Sequence, residues 1–73
     1  MKDKLLPTAA VERVIRAAGA NRVSATASEE LGKILEDYGI EIATRANRLA
    51  IHAKRTTVKA EDIVEALEQL EEP

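Results

Sequence analysis

Residues 54–63 read Lys54-Arg55-Thr56-Thr57-Val58-Lys59-Ala60-Glu61-Asp62-Ile63, and they place three cations and two hydroxyls directly before two carboxylates. The β-branched run Thr56-Thr57-Val58 is a poor helix former and predicts a loop. A helix then begins near Lys59–Ala60, because Glu61 and Asp62 suit a first turn, where carboxylates meet the positive end of the helix dipole. The stretch therefore predicts a basic loop that leads into an acidic helix start.

A long helix precedes this loop. About 29 residues at about 1.5 Å each give a rod of about 43 Å, whereas a compact globule of 73 residues has a diameter of roughly 30 Å. Two short flanking helices cannot cover such a rod, so we expect an obligate homodimer in which a second chain crosses it. Apolar residues hold helical spacing along it at Leu31, Ile34, Leu35, Tyr38, Ile42, Ala46, Leu49, Ala50 and Ala53.

The remaining elements are short. Pro7 and Thr8 open a helix predicted over residues 8–18, and Gly19 ends it with a left-handed cap. Residues 19–24 form a loop, and Ser24 is a good N-cap for the long helix, with Ser28 as a competing cap. The predicted fold class is all-α, a short helix, a long helix and a short helix. The third helix is expected to bury Ile63, Ala66, Leu67 and Leu70.

Length and composition narrow the class of protein. A chain of 73 residues predicts one domain, residues 1–73, and a domain this small often needs extra support. The chain has no cysteine and one histidine, His52, so disulfides and a zinc site are not expected. No apolar run is long enough to span a membrane and no signal peptide opens the chain, which predicts an intracellular, soluble protein without membrane contact.

The charge is segregated along the chain. The net charge is -2, yet residues 1–25 carry +3, residues 26–53 carry -2, residues 54–60 carry +3 and residues 61–73 carry -6. A solvated surface is the simplest interpretation of such blocks. Aromatic residues make up 1 %, which argues against nucleic-acid binding by base stacking.

This layout resembles the histone fold, and specifically the small tailless archaeal histones. The sharpest matches are Gly19-Ala20-Asn21-Arg22-Val23-Ser24 and Arg55-x-Thr57-x-Lys59-Ala60-Glu61-Asp62, with further similarity at Leu31-x-Lys33-Ile34-Leu35-Glu36 and Leu49-Ala50-x-His52-Ala53. The resemblance implies a handshake homodimer, in which two long helices cross and the first loop of one chain lies beside the second loop of the other.

The resemblance also answers what the carboxylates are for. It implies a salt bridge between Arg55 and Asp62 that fixes the second loop, so that Thr57 faces a phosphate while Lys54 and Lys59 face DNA. The alternative is that Asp62 only stabilises the helix start. The family often has Gly-Arg-Lys-Thr where this chain has Lys54-Arg55-Thr56-Thr57, so one cation has moved from after the arginine to before it.

Three further arginines complete the predicted DNA-binding set. The resemblance implies that Arg22 enters the minor groove, whose narrowed form concentrates negative potential, as histone octamers of eukaryotes insert arginines. It also implies that Arg13 and Arg16, three residues apart on the first helix, touch phosphates. A solvated loop arginine is the alternative for Arg22. None of these contacts reads base identity.

A second predicted surface joins dimers to each other. Leu49, His52 and Asp62 match positions that the family uses there, while Glu65 stands where an apolar residue is frequent. Two Glu65 carboxylates, one from each dimer, would repel each other near the two-fold axis of this contact. We therefore expect the contact between dimers to be altered and to include Ile51. The alternative is that Ile40 and Ile51 pack inside the dimer.

The sequence therefore predicts a protein that binds double-stranded DNA without sequence preference and bends and compacts it on the chromosome, in the cytoplasm. An enzyme, a cofactor and a small-molecule substrate are not expected, because no set of catalytic groups converges. His52 is better interpreted as a core or interface histidine bonded to Asp62 of another chain than as a titrating switch or a catalytic base. Two alternatives are open. One is a histone-fold module for protein contacts, favoured by the acidic third helix, and the other is a tetramer that bridges DNA without wrapping it.

Overall fold

The computed structural model describes residues 4–72 and consists of three α-helices, with no strand in that range. The helices are α1 (Thr8–Ala17), α2 (Ala25–His52) and α3 (Ala60–Glu71), of 10, 28 and 12 residues. The predicted order of short, long and short helices is confirmed. Ser24, not Ser28, caps α2, because its Oγ accepts the Ala27 N–H at 3.1 Å.

The chain forms two compact units, Met1–Asp37 and Tyr38–Pro73, so that the boundary falls within α2. In the first unit, Val11 of α1 is 2 % exposed, and a Cβ built on Gly32 would lie 3.6 Å from Val11 Cγ2. Ser28 is one turn before Gly32 and is also buried. Small side chains at this spacing let α1 lie close to the first half of α2.

The segment before α1 is tied to the same unit. Of the sequence before Pro7, residues 1–3 lie outside the described range. Glu36 Oε2 accepts the backbone N–H groups of both Leu5 and Leu6 at 2.9 Å, and Lys4 Nζ donates to Thr8 Oγ1 at 3.0 Å. Glu36 thus satisfies two backbone donors that precede the helix, and it fixes how the chain enters α1.

The second unit has a core of small residues. Ala46 and Ala50 of α2 and Ala66 of α3 are completely buried, and Asp62 is 4 % exposed. The expectation that Ile63 is buried is wrong for the single chain, where it is 40 % exposed. Each unit likewise leaves large apolar side chains uncovered, including Val14 and Ile34 in the first, and Tyr38, Ile40, Ile51 and Val64 in the second.

None of the helices within residues 4–72 combines the length and the apolar character that a membrane span requires.

Candidate nucleic-acid interface

The second loop, residues 53–59, begins with a capped helix end. The Lys54 N–H donates to the Ile51 carbonyl at 2.8 Å, and the Arg55 N–H donates to the Ala50 carbonyl at 2.9 Å, which together form a Schellman motif. Lys54 sits at the left-handed position of this motif, with φ of 62°. A side chain costs about 1 kcal/mol there relative to glycine, so the loop holds a cation at a position that usually favours glycine.

Arg55 and Asp62 hold the middle of this loop. Arg55 Nη1 and Nη2 donate to the two carboxylate oxygens of Asp62 at 2.9 and 2.8 Å, and Nη1 also donates to the Thr57 carbonyl at 2.9 Å. Asp62 Oδ2 accepts the Lys59 N–H at 2.8 Å. Since peptide groups are planar, these bonds fix the peptide planes on both sides of Val58.

The same contacts shift the pKa of both partners. The hydrogen bond from Arg55, followed by that from the Lys59 N–H, lowers the pKa of Asp62 from an ordinary 3.8 to about 2, although burial opposes the change. The hydrogen bond to Asp62 raises the pKa of Arg55. Asp62 is therefore a carboxylate, and Arg55 a cation, at any physiological pH. Both are engaged within the chain, while the loop turns its other polar side chains to solvent, at Lys54, Thr56, Thr57 and Lys59.

The first loop, residues 18–24, lies between α1 and α2. Gly19 has φ of 112°, a conformation that favours glycine, and its N–H donates to the Arg16 carbonyl at 2.9 Å. Ser24 closes the loop by capping α2. Between these two residues the side chain of Arg22 is exposed, where it is accessible to a ligand.

Arg16 is engaged with its own chain. Its Nε donates to Glu12 Oε2 at 2.9 Å, its Nη2 lies 2.8 Å from the same oxygen in an ion pair, and its Nη1 donates to the Asn21 carbonyl of the first loop at 2.8 Å. Arg13, on the same helix, is exposed. Sequence reasoning missed the roles of Glu12 and Asn21, although the spacing of four residues between Glu12 and Arg16 on a helix was the available signal.

The predicted site residues thus fall into two groups. The first unit holds Arg13, Arg16 and Arg22, of which Arg16 contacts the loop that carries Arg22. The second unit holds the complete second loop, in which Arg55 and Asp62 fix the backbone conformation. The exposed members of this loop that were predicted to bind DNA are Lys54, Thr57 and Lys59.

The residues predicted to join dimers lie in the second unit. A shallow groove of about 300 Å³ is lined by Arg45, Arg48, Leu49, His52 and Gln69. Beyond this groove, Ile51 is 61 % exposed. Glu65 Oε2 accepts a long hydrogen bond of 3.4 Å from Gln69. Asp62 accepts three hydrogen bonds within its own chain, which leaves little acceptor capacity for another chain.

Within residues 4–72, no group of three or more His, Asp or Glu side chains is arranged to hold a metal ion.

Three helices with a long central one, joined by two loops that expose cations, define a histone-fold protein. The chain belongs to the family of histone-like transcription factors (CBF/NF-Y) and archaeal histones, which its residues 4–67 match. It is 52 % identical over 58 residues to a protein of Thermococcus zilligii named as one of the subunits of archaeal histone HAN1, across 80 % of this chain and 87 % of that protein. It is 47 % identical over 62 residues to probable archaeal histone 3 of Methanocaldococcus jannaschii, across 85 % and 92 %.

The lowered pKa of Asp62 predicts a specific acid sensitivity. A carboxylate whose pKa is lowered in the folded state stabilises that state above its unfolded pKa, and the effect is lost as pH falls through the folded pKa. The free energy of unfolding of the wild type should therefore fall more steeply than that of Asp62→Asn between about pH 4 and pH 2. Urea unfolding at fixed protein concentration measures both.

Glu61→Gln is the matched control, because it removes a neighbouring carboxylate of the same helix turn that accepts no bond from Arg55. Parallel pH profiles for the wild type and Asp62→Asn would contradict the assignment. NMR titration of the Asp62 carboxyl carbon in the wild type supplies an independent value, expected near 2.

The left-handed conformation of Lys54 predicts that glycine and glutamine at this position differ in their effect on stability. Lys54→Gly should stabilise the fold by about 1 kcal/mol, because glycine adopts this φ without strain. Lys54→Gln removes the charge and keeps the strain, so its stability should match the wild type. Thermal unfolding compares the three proteins. Equal stability of Lys54→Gly and Lys54→Gln would rule out strain at this position.

Proposed function

We propose that this protein binds double-stranded DNA without sequence preference, and bends and compacts it, as a homodimeric histone. Membership of the family, and two relatives whose names identify them as archaeal histones, support this function. The observation that carries it is the second loop, where Lys54, Thr57 and Lys59 are exposed on a backbone that the Arg55–Asp62 pair holds rigid. Preorganised donors of this kind suit a phosphate, which fixes position without reading sequence.

Dimerisation is part of the proposal. Each unit, taken alone, leaves large apolar side chains at the surface, among them Ile34 in the first, and Tyr38 and Ile63 in the second. A second copy of the chain in a handshake arrangement would cover such side chains, and small domains commonly gain their stability in this way. We therefore propose that residues 1–73 act as a single domain that is complete only in the dimer.

The handshake arrangement would also assemble the DNA-binding surface. It would place the first loop of one chain beside the second loop of the other, so that Arg22 joins Lys54, Thr57 and Lys59. In this proposal Arg22 enters the minor groove, and Arg13 meets the phosphate backbone. Arg16 lies on the same helix as Arg13, with its guanidinium already engaged by Glu12 and Asn21.

Location and chemistry follow from the same proposal. A protein that binds DNA in this way would reside on the chromosome, in the cytoplasmic nucleoid. Its role would be structural and not catalytic, with no cofactor. Because the net charge is -2, long-range attraction to DNA should be weak. Affinity should fall steeply with salt, because each cation that neutralises a phosphate releases a counterion.

The competing function, a histone-fold module that binds proteins instead of DNA, rests on one observation. The acidic residues of α3 apart from Asp62 include Glu61, Glu65 and Glu68, which are exposed. The family and its archaeal histone relatives do not favour this alternative. Gel-shift titration at low and moderate salt with unrelated duplexes separates the two functions, since a protein-binding module would not shift DNA at either. Nuclease protection then distinguishes wrapping from bridging by the length protected.

Substitution of Arg22 tests how the DNA is recognised. Arg22→Ala should weaken binding alike on all duplexes, and lower the slope of log affinity against log salt by about 0.9 for each phosphate charge no longer neutralised. Two such losses are expected per dimer. Lys33→Ala is the control, because it removes a cation of α2 that pairs with Glu30 at 3.7 Å and lies outside the proposed surface. A loss confined to one sequence would contradict backbone recognition.

Substitution of Ile51 tests the contact between dimers, which we propose to involve Leu49, Ile51, His52, Asp62 and Glu65. Ile51→Glu would place a carboxylate on this surface, so it should abolish assemblies larger than the dimer and leave the dimer intact. Sedimentation equilibrium gives the mass, and thermal unfolding reports the dimer's stability. Unchanged assembly, or a loss of dimer stability that places Ile51 inside the dimer, would overturn the assignment.

A further inference from the structure

Arg16 differs from the other predicted DNA-binding cations, because all three nitrogens of its guanidinium group are engaged within the chain, two by hydrogen bonds and one by an ion pair. Nε and Nη2 contact Glu12, and Nη1 contacts the Asn21 carbonyl. We infer that Arg16 is a positioning residue that holds the first loop so that Arg22 meets DNA, and that it is not itself a principal phosphate contact. This inference rests on the proposed DNA-binding function.

The bond to Asn21 acts directly on Arg22. The Asn21 carbonyl and the Arg22 N–H belong to one planar peptide group, so a bond that fixes this oxygen also fixes the direction in which the chain enters Arg22. The loop is otherwise held at its ends, by Gly19 at the end of α1 and by the Ser24 cap of α2. Between these ends, the hydrogen bond from Arg16 to the Asn21 carbonyl fixes the middle of the loop, and Glu12 orients the Arg16 side chain for this bond.

The second loop is built on the same principle. There Arg55 binds the carboxylate of Asp62 and, through Nη1, the Thr57 carbonyl. In both loops an arginine joins a helix carboxylate to the carbonyl of a loop residue, and that residue either is a proposed DNA-binding residue (Thr57) or directly precedes one (Asn21). The side chains of Arg16 and Glu12 are 48 % and 40 % exposed, against 26 % and 5 % for Arg55 and Asp62. Because an exposed ion pair stabilises a fold little, the Arg16–Glu12 pair can be removed without unfolding the protein.

Substitution of Glu12 distinguishes a positioning role of Arg16 from a phosphate-contact role, because the two roles predict opposite changes in DNA affinity. If Arg16 were a phosphate contact, Glu12→Ala would remove an anion from beside it and should strengthen binding to DNA. If Arg16 positions the loop through Glu12, the same substitution frees Arg22 and should weaken binding. We expect the dissociation constant of Glu12→Ala to rise by about threefold or more, as is typical of coupled neighbours.

A conservative substitution provides the matched comparison. Lysine keeps the charge, but its single ammonium group cannot contact Glu12 and the Asn21 carbonyl with separate nitrogens as a guanidinium does. Arg16→Lys should therefore bind DNA as weakly as Arg16→Ala. Lys33→Ala, which breaks an exposed ion pair with Glu30 on α2, should keep the wild-type affinity and salt dependence, because it lies outside the proposed surface. Retained affinity in Arg16→Lys would overturn the inference.

A double-mutant cycle with Arg22 distinguishes positioning from a merely structural effect. If Arg16 acts through Arg22, then Arg16→Ala should cost little further affinity once Arg22→Ala is present. Additive losses, together with a lower salt slope for Arg16→Ala, would indicate an independent phosphate contact. A general structural effect would instead weaken binding equally in the Arg22→Ala background and in the wild type.

A measurement on the free protein keeps this inference separate from the proposed function. NMR order parameters of the backbone amides in residues 20–23 should fall in Glu12→Ala and Arg16→Lys, and those of residues 56–59 should not change. Unchanged order in the first loop would contradict the positioning role, whatever the affinity for DNA. Absence of DNA binding by the wild type, with the loss of order still observed, would overturn the proposed function alone.

Discussion

The geometry of the second loop depends on the bidentate contact between Arg55 and Asp62. A buried ion pair contributes little net stability, because removing two charges from water offsets their attraction. Here each partner also makes a hydrogen bond to the loop backbone. Arg55 donates to the Thr57 carbonyl, and Asp62 accepts the Lys59 N–H. The pair thereby joins the end of α2 to the start of α3, and gives an exposed loop one conformation.

This arrangement explains how a chain of net charge -2 can present cations to a polyanion. Several carboxylates bond within the chain: Asp62 to the second loop, Glu12 to Arg16, and Glu36 to the N–H groups of Leu5 and Leu6. These carboxylates serve as scaffold. Exposed acidic residues are instead frequent on α3, in a different part of the sequence from the cations of both loops. The positions of the charged residues therefore matter more to DNA binding than the net charge of the chain.

The sequence predicted most of the helix boundaries because they depend on local chemistry. Pro7, Gly19 and Ser24 mark helix ends through their own conformational preferences, and α1, predicted over residues 8–18, spans Thr8–Ala17. The conformation of Lys54 could not be predicted, because lysine is not a residue that favours positive φ. The bond from Arg16 to the Asn21 carbonyl was also missed, since it depends on the path of the loop, which residue type does not determine.

The exposure of Ile63 has a different origin. In the single chain the alanines at positions 46, 50 and 66 are buried in its place, and Ile63 would be covered only by a partner surface such as that of the proposed dimer. In the proposed dimer, the contacts that cover such side chains would also bring the first loop of one chain to the second loop of the other. Folding and formation of the DNA-binding surface would then be one process, and its equilibrium would depend on protein concentration.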